Sequence, residues 1–70
     1  MIEDDRNVVE NQILNLVEKE KGLTDEEIAE KSLLPYEIVF VACTQLAHKG
    51  VLERISDKGK TIKNYIRNIT

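Results

Sequence analysis

Few side chains in this sequence are suited to covalent or metal chemistry, and their spacing keeps them apart. His48 is the only histidine and Cys43 the only cysteine. They stand five positions apart, which puts them on different faces of a helix, so they form neither a thiolate–imidazole pair nor a shared metal site. There is no glycine-rich phosphate loop and no serine paired with a base. The acidic runs Glu3-Asp4-Asp5 and Asp25-Glu26-Glu27 stand where helical patterns begin, and favourable interaction with the helix dipole explains them. Cys43 lies in an apolar run and reads as a small core side chain. These residues point away from an enzyme and from any cofactor or metal requirement.

The cations are sorted along the chain. Residues 1–48 carry four Lys/Arg against eleven Asp/Glu, a charge of −7, whereas residues 49–70 carry six Lys/Arg against two acids, a charge of +4. An anionic partner is therefore expected to approach the C-terminal third, where Lys49, Arg54, Lys58, Lys60, Lys63 and Arg67 lie, although the whole chain has a net charge of −3.

Seventy residues suffice for one domain, expected over residues 1–70 with its core at about 5–67. A core of this size is thin, and pairing into a homodimer is one remedy. Hydrophobic residues at 41% and charged residues at 33% fit a folded protein with a hydrated surface. The acidic start, Met1 to Arg6, is unlike a secretory signal, and the longest apolar run, Ile38 to Cys43, is too short to cross a bilayer. The expectation is a cytoplasmic protein with no membrane partner.

Four segments position these residues. Val9, Ile13, Leu16 and Val17 give a helical stripe over about Asp5–Lys21, with Asp4 and Asp5 before it, Lys19 and Lys21 at its end, and Gly22 as its stop. Ile2, Val8 and Leu14 lie off this stripe, where they either pair with a second copy or pack within the chain. A second, short helix opens at Thr24, which with Glu27 has the spacing of a capping box, and runs to about Lys31 with Ile28 and Ala29 inward. Pro35 suits the first position of a third helix, over 35–49, with Val39, Ala42, Cys43 and Leu46 as its buried stripe and Gly50 as its end. The β-branched and aromatic run Ile38-Val39-Phe40-Val41 alone would also suit a buried strand, but the proline start, glycine stop and helical stripe favour a helix. Residues 51–67 read as a hairpin. Val51–Ser56 and Thr61–Arg67 flank the polar loop Asp57-Lys58-Gly59-Lys60, and Ile62, Asn64 and Ile66 lie on the more apolar face. The stretch Gly22-Leu23-Thr24 can add a residue or two of strand beside it.

Over about residues 9–67 this order resembles the winged helix-turn-helix DNA-binding domain family. The carrying residues are Leu23-Thr24, Glu27-Ile28-Ala29, Val39 ten positions after Ala29, and the junction Leu46-x-x-Lys49-Gly50-Val51-Leu52-Glu53-Arg54. In that pattern Ala29 lets two helices cross closely, and Val39 pins the second of them. The resemblance implies an α+β, mostly helical winged helix: three helices followed by a two-stranded β-hairpin wing. Two departures stand out. Leu33 occupies a turn position where the pattern often has glycine. The third helix is also poorly basic, presenting Glu37, Val41, Thr44 and His48 opposite its stripe, flanked by Ile38, Phe40 and Gln45.

The resemblance implies a small protein bound to double-stranded DNA, a transcriptional regulator, with helix 35–49 in the major groove and the basic wing 51–67 on the phosphate backbone. Thr44, Gln45 and His48 are then the residues able to hydrogen-bond to base edges. Arg54, Lys58, Lys60 and Lys63, with Arg67, are candidate phosphate contacts, and Tyr36 either joins them or is a half-buried aromatic. A second reading is a protein–protein interaction module using Phe40 and Val41 on the apolar exposed side of the same helix. Alternatively, Phe40 tucks beneath the wing.

Overall fold

The computed structural model describes residues 8–67. Helix α1 (Val8–Lys19) begins the described chain. Its buried face is Glu10, Ile13, Leu14 and Val17, rotated from the expected stripe. Val9 and Leu16 are only partly buried at its margins. The rotated face includes a carboxylate in a core position. Glu10 is 1% exposed, and both its oxygens lie 3.4 Å from Lys49 Nζ at the end of the third helix. A buried charge is tolerated when it is paired. Leu14, read above as a possible contact to a second copy, packs in the core, whereas Val8 is exposed. Asp4, Asp5 and Ile2 lie outside the described residues.

After α1, Gly22 adopts a φ of +82°, and a Cβ there would stand 3.2 Å from Tyr65 Oη, so a glycine serves both the turn and the close approach. Strand β1 (Leu23–Thr24) follows, then α2 (Asp25–Ser32). The capping box is formed: Thr24 N–H donates to Glu27 Oε1 at 2.9 Å, and Glu27 N–H donates to Thr24 Oγ1 at 3.1 Å. Two orphan donors of the first turn are thereby satisfied, and Ile28 and Ala29 are buried as expected.

Helix α3 (Tyr36–His48) starts one residue later than expected. Pro35 is its N-cap, with φ −60° and ψ 144°, and the Pro35 carbonyl accepts from Val39 N–H at 3.1 Å. The extended ψ keeps proline outside the helix while its carbonyl already belongs to it. Val39, Ala42, Cys43 and Leu46 form the buried stripe, so Ile38–Val41 is helical. Gly50 then turns left-handed at φ +83°, with Gly50 N–H on Ala47 O and Val51 N–H on Leu46 O. That is a Schellman stop.

Strands β2 (Leu52–Asp57) and β3 (Thr61–Ile66) form the hairpin, and β1 joins it antiparallel to give a three-stranded sheet in the order β1-β3-β2. Leu23 pairs with Asn64 and Thr24 with Lys63. Leu23–Thr24 thus supplies the short strand expected beside the two-stranded wing. The core is a layer of Ile13, Leu14, Val17, Ile28, Val39, Cys43 and Leu46 from the helices, closed by Leu23 and Leu52 from the sheet.

Candidate nucleic-acid interface

The hairpin changes character along its length. On its inner face Leu52 pairs with Ile66, Arg54 with Asn64 and Ser56 with Ile62. The first pair closes the core. The second is polar and lies against the start of α2. The third is exposed and leads to a turn in which Lys58 (φ +56°) and Gly59 (φ +74°) are both left-handed, closed by Lys60 N–H on Asp57 O at 3.1 Å. Two positive-φ residues in succession match the right-handed twist of the strands.

The polar pair is the most heavily bonded part of the molecule's charged chemistry. Arg54 Nη1 and Nη2 donate to Asp25 Oδ1 and Oδ2, both at 2.9 Å, and Nη1 also donates to Asn64 Oδ1 at 2.8 Å. Asn64, itself fully buried, donates from Nδ2 to Leu23 O and to Asp25 Oδ1, each at 2.9 Å. The Arg54 and Asp25 side chains are 12% and 8% exposed. A two-pronged ion pair this dry is short and directional. It fastens β2 and β3 to β1 and to the first turn of α2. The Asp25 hydrogen bond raises the Arg54 pKa against the opposing effect of burial. Cys43 lies against the same cluster. Burial, reinforced by the negative charge of Asp25, pushes its thiol from 9.0 up to about 12. A thiol so held is a poor nucleophile at neutral pH.

Arg54, expected to contact phosphate, is therefore committed inside the fold. Its guanidinium also lies over the Phe40 ring, 5.7 Å from the centroid. The other cations of the C-terminal third divide into two sets. Lys49 pairs with Glu10, and Lys63 pairs with Asp57 at 3.6 Å on the exposed outer face of the hairpin. Lys58, Lys60 and Arg67 have no ion pair among the described residues, and the first two mark the hairpin tip. An exposed pair such as Lys63–Asp57 is weakly held.

Beside the hairpin lies the exposed face of α3. Thr44, Gln45 and His48 are all exposed on it, as is Glu37. Tyr36, Ile38, Phe40 and Val41 are 48, 46, 45 and 50% exposed, so this face is largely apolar. Tyr36 and Phe40 stack with centroids 6.2 Å apart. Phe40 rests against Arg54 at the hairpin base but is not enclosed by it. Thr24 from β1, Asp25 and Glu26 from the start of α2, Tyr36 and Phe40 from α3, and Arg54 with Lys60 to Ile62 from the hairpin line an open cleft of about 250 Å³.

Three helices with a β1-β3-β2 sheet superpose closely on solved regulators. The PcaV transcriptional regulator of Streptomyces coelicolor, solved with its natural ligand, matches with a TM-score of 0.88 at 18% identity, over 97% of this chain and 50% of that one. MepR, a transcription regulator of the Staphylococcus aureus multidrug efflux pump MepA, matches at 0.80 and 18%, over 91% of this chain and 49% of that one. The domain is a winged helix. It spans about half the length of each of these two regulators. No model of a known protein family matches the chain, and no curated protein does.

Within the winged helix, α3 is the third helix, after the turn that ends α2, and β2–β3 form the wing. The fold brings Tyr36, Thr44, Gln45, His48, Lys58, Lys60 and Lys63 to its surface, and withdraws Arg54. Asp25, Asn64 and Glu10 escaped the sequence reading. Asp25 is hidden in an acidic run that a helix start already explains. Asn64 did carry a signal: an amide in the inward register between Ile62 and Ile66 requires a partner. No helix among the described residues is long and apolar enough to cross a membrane.

Proposed function

We propose that this winged helix is a DNA-binding regulator that docks α3 in the major groove and rests its wing on the phosphate backbone. The observation that carries this reading is the pair Lys58 and Lys60, exposed and without an ion pair among the described residues, at the tip of a wing that stands beside the exposed face of α3. Lys63 joins them by exchanging the weak Asp57 pair for a phosphate, and Tyr36 offers a hydroxyl at the start of α3. Base contacts fall to Thr44, Gln45 and His48. The likeness in fold to two transcription regulators supports the same reading. Each wing lysine on a phosphate releases counterions, so affinity falls with salt. Pairing of two copies would set two α3 helices about one DNA turn apart, and exposed Val8 at the start of α1 offers an apolar contact for it. The test is fluorescence anisotropy of a labelled mixed-sequence duplex at low and near-physiological salt, with sedimentation to read the oligomer. Salt-dependent binding that is lost on reversing Lys58, Lys60 and Lys63 to Glu supports the proposal; binding that survives the reversal sinks it.

One observation favours a second reading. Ile38, Phe40 and Val41 leave nearly half of each side chain in water on one helix. A protein-interaction module would use that surface. Substituting Phe40 and Val41 by Ser would then abolish association with a partner while leaving the thermal midpoint unchanged.

A further inference from the structure

We propose that α3 recognises thymine, reading the 5-methyl groups of A·T-rich DNA in the major groove. This rests on the DNA-binding reading above and goes beyond it to the chemistry of the site.

The outward stripe of α3 is Glu37, Val41, Thr44 and His48, flanked by Phe40, Gln45 and Ile38, all exposed. No lysine or arginine lies anywhere on α3. The commonest specific contact to guanine is a bidentate Arg or Lys on O6 and N7, and α3 has no side chain to make it. Lys49, just beyond the helix, is engaged by Glu10, and Arg54, whose guanidinium lies over the Phe40 ring of α3, is locked to Asp25 and Asn64. What α3 does carry complements an A·T pair. Val41 is 50% exposed at the centre of the stripe, and Thr44, one turn on, adds a γ-methyl beside its hydroxyl. Apolar side chains and the threonine methyl are the groups that contact the thymine methyl. Gln45 has the bidentate geometry for adenine N6 and N7. Glu37 is an acceptor for an exocyclic amino group, which adenine and cytosine both present in this groove. Phosphate attraction comes from Lys58 and Lys60 on the wing, so α3 itself needs no positive charge. An apolar recognition face that is a puzzle for reading G·C is then a requirement for reading methyls.

Burying one methyl is worth about fourfold in affinity. The experiment compares one A·T-rich duplex carrying thymine with the same duplex carrying deoxyuridine, which lacks only the methyl, by anisotropy at low salt. A G·C-rich duplex is compared with its 5-methylcytosine form, which places a methyl at the equivalent ring position. The native protein is expected to bind thymine over deoxyuridine by at least about fourfold for each methyl covered, and to prefer 5-methylcytosine over cytosine. Val41→Ser should collapse both differences yet keep salt-dependent binding, whereas Lys58→Ala with Lys60→Ala should weaken all four duplexes equally. Equal affinity for thymine and deoxyuridine overturns the proposal and leaves the DNA-binding reading in place. Failure to bind any duplex at low salt overturns the DNA-binding reading, and this proposal with it.

Discussion

At the base of the wing, Arg54 and Asn64 face each other across β2 and β3 and hold Asp25 between them; at its tip, Lys58 and Lys60 stand in solvent with no ion pair among the described residues. The two regions share the same two strands. They differ in water. At the base, the charges are dry, their partners are fixed, and removing one leaves another stranded. At the tip, water screens each charge, so nothing in the fold depends on it and it remains available to an external anion. Charge sorting in the sequence treats these cations alike, whereas burial divides them into those that hold the wing and those that the wing presents.

The comparison is most severely tested by Asp25→Ala. Breaking a buried ion pair by removing one partner costs about 3–5 kcal/mol, a large share of what a domain this small can have. Denaturant unfolding should show that loss, and a midpoint close to that of the native protein would mean that the base is not dry. Arg54→Met, which removes the charge and keeps much of the volume, should also destabilise by stranding Asp25.

Cys43 reports on the same base through pH. Below pH 9 the thiol is protonated in both folded and unfolded chains and contributes no pH dependence. Above 9.0 the unfolded thiol loses its proton while the folded one, held up to about 12, keeps it. The folded state then binds more protons, and stability falls with rising pH by up to about 1.4 kcal/mol per unit. Urea titrations of the native protein and Cys43→Ala across pH 8–11 should diverge in that direction; parallel curves would dispose of the thiol's role. At neutral pH, labelling of Cys43 by a thiol reagent should proceed only as fast as the domain opens.

The tip should behave in the opposite way. Lys58→Ala with Lys60→Ala should leave the unfolding midpoint unchanged and lower the slope of log affinity against log salt by about two, one for each lysine on a phosphate. A shift in the midpoint without a change in slope would reverse the assignment of tip and base.

A smaller effect is expected where the turn between α2 and α3 departs from the family pattern. Leu33 has φ 61° and ψ 31° and is 90% exposed, with Leu34 N–H closing on Ala29 O. It thus fills after α2 the left-handed place that Gly50 fills after α3. A side chain there costs about 1–2 kcal/mol, part of which glycine returns as unfolded-chain entropy. Leu33→Gly should therefore stabilise by up to about 1 kcal/mol. A loss would show that the leucine makes a contact that outweighs its backbone strain.

Much of this was legible in the sequence because it was local. Val39, Ala42, Cys43 and Leu46 reveal their face by spacing alone, and Thr24 with Glu27 reveals a helix start. The base of the wing was not, because Asp25 and Arg54 are 29 residues apart and only the folded topology brings them together. Glu10 concealed the true face of α1 in the same way. An acid at a core position looks like a solvent position until its partner, 39 residues on, is known. At the candidate interface, residue types were readable and availability was not: Arg54 and Lys58 look equivalent until burial is known.

The sheet order carries a consequence for how the domain assembles. β3 is the last of the three strands in sequence but the middle one in space, and Asn64 reaches back 41 residues to the Leu23 carbonyl. No two-stranded part of the sheet containing β1 can exist before β3 arrives, since β1 has no other neighbour among the described residues. The three helices can condense early from contacts close in sequence, but the sheet waits for its longest loop to close, and that closure is the expected slow step. Until then Asp25 and Arg54 remain hydrated, so the final strand brings about both the completion of the sheet and the drying of the ion pair at the root of the wing.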